Sequence, residues 1–177
     1  MIQTSSRDVS FVLKYAEDYL KESGIISARN EAEVLLMYLL GVKRFRFYDF
    51  QGLEDTIFTK YKNLLNERAR RVPLQYITGI SSFMGIEFIT ERGVFIPRPE
   101  TEVLVERVIE LFKDKETVYG LDIGTGTANI AISLTKFLSN CRILAIENSK
   151  RALGIARINA EKNNLTEKIN FREIDIL

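Results

Sequence analysis

Apolar positions recur at helical spacing through the first third of the chain. Phe11, Val12, Tyr15, Ala16, Tyr19 and Leu20 fall together as one face of an amphipathic helix. A second helix is predicted from about Ser27 through Val34, Leu35, Leu36, Leu39 and Leu40. Its second half is nearly apolar, as for the buried centre of a small bundle, and Gly41 stands where a left-handed C-cap would. Asp55 is a good N-cap for a third helix, with Ile57, Tyr61, Leu64, Leu65 and Arg68 turned inward. Val72-Pro73 stops it, because the residue before a proline is pushed out of the helical region.

The period then changes. Phe83, Met84, Ile86, Phe88 and Ile89 are interrupted by Gly85, and Glu91-Arg92-Gly93 is a turn signal before Val94, Phe95 and Ile96. This predicts a β-hairpin or a pair of short strands. Pro97-Arg98-Pro99 is an extended stop, followed by a helix from Glu100 or Thr101 to about Lys113. From Thr117 the pattern reads strand (118–123), helix (129–138), strand (142–147), helix (149–163) and strand (169–175). Ala152, Leu153, Ile155, Ala156, Asn159 and Ala160 form the inner side of the second of these helices. Such a β-α-β-α-β order opens a doubly wound parallel sheet, so the chain is read as α/β. Three spans are expected: a helical domain over 1–79, a β-hairpin linker over 80–99 and an incomplete Rossmann-like domain over 100–177.

Composition narrows the chemistry. The 177 residues include 25 Lys and Arg, 24 Asp and Glu, no His and one Cys. Without His there is no Ser-His-Asp triad, Cys-His dyad or His-rich metal site, and one Cys makes no internal disulfide. No metal site is expected. The net charge of +1 gives no reason to expect direct nucleic-acid binding. The Arg68-Arg70-Arg71 cluster reads as a solvated helix end rather than an RNA contact. Arg44-Phe45-Arg46-Phe47-Tyr48 reads as a short amphipathic helix, and Cys141 as a core residue. The first residues lack the layout of a signal peptide, and no apolar run approaches the roughly 20 residues that span a bilayer. A cytoplasmic protein is the default expectation.

The most informative stretch is Leu121-Asp122-Ile123-Gly124-Thr125-Gly126-Thr127-Ala128-Asn129. Strand, glycine turn and helix follow in that order. Glycines let the backbone turn sharply and approach a ligand, and the following helix presents free N–H groups. Such a turn also occurs in α/β folds without any ligand, and with one it suits a phosphate or the carboxylate and ribose of a cofactor. Three acids sharpen the reading. Asp122 ends the first strand, Asp175 the third, and Glu147 ends the second about 20 residues beyond the loop, the spacing of an acid that holds ribose hydroxyls. All three are expected to converge on one crevice at the carboxyl ends of the strands. Asn129 stands where a nicotinamide fingerprint wants Gly, and no P-loop is present. The pattern better suits S-adenosyl-L-methionine.

Two further stretches stand out, Pro73-Leu74-Gln75-Tyr76-Ile77-Thr78-Gly79 and Gly93-Val94-Phe95-Ile96-Pro97-Arg98-Pro99-Glu100-Thr101-Glu102. On them the chain resembles the HemK/PrmC family of protein-(glutamine-N5) methyltransferases, whose patterns there are P-L-x-Y-I-x-G and G-V-[LF]-I-P-R-P-E-T-E. Asp122 to Ala128 and Ala152 to Ala160 resemble its cofactor half. The resemblance implies a helical domain that engages peptide chain release factors, a hairpin linker and a Rossmann-like S-adenosyl-L-methionine-dependent domain. The implied reaction is methylation of the Gln of the release factor's Gly-Gly-Gln motif. Asp122, Gly124, Thr125, Gly126, Thr127 and Ala128 would form the cofactor loop, Glu147 would hold the ribose, and Asp175 and Ile176 would lie beside the adenine. Pro97, Arg98, Pro99, Glu100 and Thr101 would help close the pocket.

Three departures stand against the family pattern. Ala128 replaces a usual third Gly, and Glu147 a usual Asp. The family's catalytic N-P-P-Y is not in the chain, which ends at Ile174-Asp175-Ile176-Leu177. No catalytic residue is assigned, and the 177 residues alone are expected to bind cofactor at most. Two other readings remain: a non-catalytic helical module that docks a protein, and a nucleic-acid amino-methyltransferase.

Overall fold

The structure is a computed structural model and describes residues 6–42, 46, 50 and 52–176. The reading of 44–48 as an amphipathic helix therefore falls outside the described residues, Arg46 apart. The chain divides into two units, one up to Thr78 and one from Gly79 onward.

The first unit is built from α1 (Val9–Glu22), α2 (Ala28–Leu40), α3 (Asp55–Ala69) and the short α4 (Leu74–Thr78). A two-residue antiparallel bridge joins β1 (Ser6–Arg7) to β2 (Leu53–Glu54). Asp8 starts α1 by accepting the Ser10 and Phe11 N–H groups, which holds its carboxyl below the ordinary carboxylate value, with the Ser10 hydroxyl the largest cause. The buried stripe of α1 is Val9, Val12, Leu13, Ala16 and Leu20. Phe11 and Tyr15, expected on that face, lie outside it and are exposed. At about 100° per residue Phe11 lies roughly 200° round from Val9, so it faces away when Val9 is inward. Tyr15 stacks on Tyr19 and meets the edge of Phe58 instead.

Gly41 ends α2 at φ 65°, the predicted left-handed cap. Helix α3 begins one residue earlier than predicted. Asp55 is its first residue, not its cap, and pairs with Arg7 at 3.1 Å. Pro73 ends the connection after α3 but also opens α4, accepting from the Tyr76 and Ile77 N–H groups. The arginines at the end of α3 are not simply solvated. Arg68 forks onto Glu31 and also donates to the Val72 carbonyl, while Arg71 donates to the Gly24 carbonyl at 3.0 Å.

The second unit begins with a hairpin of β3 (Ile80–Phe83) and β4 (Ile86–Ile89), in register Ile80 to Ile89 and Phe83 to Ile86. Its turn is Met84-Gly85, both at positive φ, as a two-residue hairpin matching strand twist requires. Phe83, Ile86 and Phe88 share one core with the sheet and helices that follow. Val94 to Ile96, read from sequence as strand-like, form no strand: the Val94 N–H closes a turn onto the Glu91 carbonyl, Gly93 turns at φ 89°, and Pro97 and Pro99 lack an N–H for a ladder. Val94 is buried against Ala152 and Ile155.

Helix α5 (Glu100–Phe112) precedes β5 (Val118–Ile123), α6 (Asn129–Phe137), β6 (Cys141–Glu147), α7 (Lys150–Lys162) and β7 (Ile169–Glu173). The three strands are parallel in the order β5-β6-β7. The strand predicted over 169–175 stops at Glu173, so Asp175 lies beyond its end. One sheet face, with Cys141, Ile143, Ala145 and Ile169, is buried together with Ala131, Ile132, Ala156 and Ala160 of the two helices. The other carries Tyr119 (78% exposed), Leu121 and Ile123 on β5 and Leu144 on β6. Among the described residues no helix is long and apolar enough to cross a membrane. No cluster of three or more His, Cys, Asp or Glu suited to a metal ion occurs there either.

Candidate cofactor site

Strand β5 delivers the glycine loop to the carboxyl end of the sheet. The first turn after Ile123 is tied down by the Gly124 and Thr125 N–H groups, both donating to the Ile146 carbonyl. Gly124 and Gly126 take φ 72° and 55°, and a side chain at Gly124 would project into open space. That open space is what a ligand lying on the loop needs. Ala128 caps α6 at φ 62°, a left-handed conformation that strains a residue with a Cβ.

Glu147, at the end of β6, braces this loop. One carboxylate oxygen accepts the Gly126 N–H and the other the Ser149 N–H, each at 3.0 Å. A carboxylate has about four acceptor sites, so both oxygens keep capacity for hydroxyl donors. Beside it opens a cavity of about 210 Å³ lined by Ile123, Gly124, Ile146, Glu147, Asn148, Ile174, Asp175 and Ile176. Apolar walls with two carboxyls suit a nucleoside, whose base is flat and weakly polar and whose sugar carries two hydroxyl donors.

The expected site residues divide here. Gly124, Glu147, Asp175 and Ile176 meet at the cavity. Asp122 does not reach it. Side chains alternate along a strand, and Asp122 pairs with buried Ala145 on the helix-covered face. Its carboxylate accepts from the Thr125 hydroxyl at 2.7 Å and from the Ala131 N–H. Burial raises its pKa above the ordinary carboxylate value, against those two hydrogen bonds, and Glu147 adds to the rise. The expected convergence of three acids is thus a convergence of two, with Asp122 holding the loop from beneath. Thr125, Thr127 and Ala128 are buried and do not line the cavity.

Pro97 to Thr101 are not among the residues lining the cavity. Pro97 is buried, and the Arg98 guanidinium lies over the Phe95 ring at 5.6 Å. Thr101 and Glu102 N–H groups donate to the Arg98 and Pro99 carbonyls, which winds the segment into α5. The acid that matters most in this motif is one the sequence reading passed over. Glu102 accepts the Met84 N–H at 2.7 Å and pins the hairpin turn. Asn159 was also missed as a site residue. Its signal was a polar amide on the inner, apolar side of α7.

The comparisons with known proteins fall on both units. A family model described as the PrmC N-terminal domain matches residues 12–79, and a methyltransferase domain model matches 113–177. The chain carries a PrmC N-terminal domain followed by a methyltransferase domain. A curated relative named release factor glutamine methyltransferase, from Dictyoglomus turgidum, is 37% identical over 160 residues. That match covers 90% of this chain and 57% of the relative. One of the same name from Geobacter sulfurreducens is 38% identical over 86% of this chain and 54% of its own length. The chain therefore spans little more than half the length of these relatives. A crystal structure of a SAM-dependent methyltransferase from Agrobacterium tumefaciens overlaps 54% of this chain and 32% of its own, at 21% identity and a TM-score of 0.45.

Proposed function

We propose that this chain provides the S-adenosyl-L-methionine site of a release factor glutamine methyltransferase. The observation that carries the reading is the braced glycine loop beside a cavity with Glu147 at its edge, at the carboxyl ends of parallel strands. The residues fit the group. Glu147 would accept the ribose hydroxyls, Asp175 and Ile176 would border the base, and the backbone at Gly124 would lie under the amino-acid part. When bound, the cofactor supplies an electrophilic methyl group on a sulfonium. The acceptor would be the side-chain amide of the Gln in a release factor's Gly-Gly-Gln motif, and the reaction would take place in the cytoplasm. An amide nitrogen is a weak nucleophile, so the protein's task is to hold reactants in line rather than to supply a strong base. The helical domain over 1–79 would engage the release factor, with 80–99 as the hairpin and 100–177 as the cofactor part. The near-neutral charge favours a protein substrate over a nucleic acid.

Titration calorimetry with S-adenosylhomocysteine and its 2′-deoxy analogue tests the site. The wild-type chain is expected to prefer the ribose form about tenfold or more, and Glu147→Ala to lose that preference. Equal preference in both proteins would remove Glu147 from the ribose role. No binding by the wild type would overturn the cofactor reading.

A further inference from the structure

Asn159 sits in the last turn of α7 and is wholly buried. An amide there is costly unless every polar atom is matched. Here all are matched. The Asn159 Oδ1 accepts the Ile89 N–H at 2.7 Å. Its Nδ2 donates to the Ile89 carbonyl at 3.0 Å and to the Thr127 carbonyl at 3.1 Å.

Both backbone groups of Ile89 therefore point away from β3. The Asn159 amide completes the outer edge of β4 as a one-residue substitute for a neighbouring strand. Its second N–H is what remains, and it goes to the glycine loop. The Thr127 carbonyl it holds belongs to the peptide that leads into Ala128, the strained left-handed cap of α6. Strained backbone persists only where its surroundings over-determine it. Two neighbouring positions of the loop are thus gripped from below: the Gly126 N–H by Glu147, and the Thr127 carbonyl by Asn159.

We propose that Asn159 is a positioning residue for cofactor binding, which locks the glycine loop to the end of the hairpin so that loop shape depends on where β4 sits. The proposal rests on the cofactor reading above. It goes further by making the hairpin part of the site's framework, although no hairpin residue lines the cavity.

The near-isosteric Asn159→Asp keeps the acceptor for the Ile89 N–H but sets an oxygen against two carbonyls. Asn159→Ala removes all three bonds and decides the matter if the Asp variant does not fold. Leu165→Ala, a core truncation in the same unit and away from the loop, serves as the stability control. Two quantities are measured on the full chain: the backbone amide resonances of 124–128 without ligand, and the dissociation constant for S-adenosylhomocysteine. In the Asn159 variants the loop resonances are expected to shift and the constant to rise about tenfold. In Leu165→Ala the melting temperature falls, but the loop resonances hold and the constant stays within threefold. Unmoved loop resonances in the Asn159 variants, or an equal loss of affinity in Leu165→Ala, would overturn the proposal. If the wild type binds no S-adenosylhomocysteine, the cofactor reading fails, and the ligand-free resonances alone decide whether Asn159 sets the loop.

Discussion

In the first unit, the polar groups that reach the interior join helix to helix. Tyr61 on α3, fully buried, donates its hydroxyl to the Ala32 carbonyl of α2 at 2.7 Å, and Arg68 of α3 forks onto Glu31 of α2. In the second unit Asp122, Glu147 and Asn159 meet on one short stretch of the loop. Asp122 takes the Thr125 hydroxyl, Glu147 the Gly126 N–H, and Asn159 gives to the Thr127 carbonyl. The same kind of contact does different work. A staple between helices fixes a scaffold, and removing it costs stability. A set of contacts spent on consecutive loop residues fixes a shape, and removing one should cost ligand affinity before it costs the fold. The units differ in their apolar surfaces too. The bundle closes round Leu20, Leu35, Leu36 and Leu65, whereas the sheet buries one face and shows Tyr119, Leu121 and Ile123 on the other.

The largest expected effect tests that contrast in burial. Leu36→Ala, in the bundle core, should destabilise the first unit by about 3 kcal/mol through lost burial and a residual cavity. Leu121→Ala, on the open face, should stay within about 0.5 kcal/mol. Denaturant unfolding read by amide exchange in each unit separates the two. A comparable cost at Leu121 would mean that the open face is covered in solution. Replacing Leu121 with Lys should lower light scattering of concentrated protein without moving the melt, since exposed apolar patches drive association.

Next in size is Tyr61→Phe. It deletes the hydrogen bond to the Ala32 carbonyl and keeps the ring, so a loss of about 1 kcal/mol is expected in the first unit. Cofactor affinity should not change. A fall in affinity with an intact fold would break the division between staple and loop-shaping contacts.

Much of this was legible in the residues. Strand β5 and the helix starts near Ser27, Glu100 and Ser149 follow from apolar runs, caps and a proline stop. What escaped was direction. The aromatics Phe11 and Tyr15 fit a helical face as well as the true stripe does, because a wide apolar arc does not say where its centre lies. Asp122 looked like part of an acidic crevice because strand ends converge. Its neighbours in the pleat send it under the loop instead. Asp175 was counted within a strand that stops two residues earlier. For Glu102 and Asn159 the residues were in view, but their partners, the Met84 and Ile89 backbones, are set only by how the hairpin packs.

The smallest effect concerns Asp122, and it sharpens the comparison by pH. Its folded pKa lies above the ordinary 3.8, chiefly through burial. Below the unfolded value the group is protonated in both states and costs nothing. As pH rises through the folded pKa, the unfolded chain ionises freely while the folded one must carry a buried charge. Stability then falls, because the folded state holds the extra proton in that window. Asp122→Asn keeps an acceptor for the Thr125 hydroxyl and has no proton to lose. The stability of the Asp122→Asn variant relative to wild type should therefore grow from pH 3.8 upward and level off once the folded wild-type group has ionised. Thermal melts of both proteins across that range, with the second unit followed by amide exchange, check the sign. A wild type that loses stability against the variant on acidification would show a depressed pKa. The hydrogen bonds from the Thr125 hydroxyl and the Ala131 N–H would then outweigh burial, and Asp122 would join the staples rather than the strained groups under the loop.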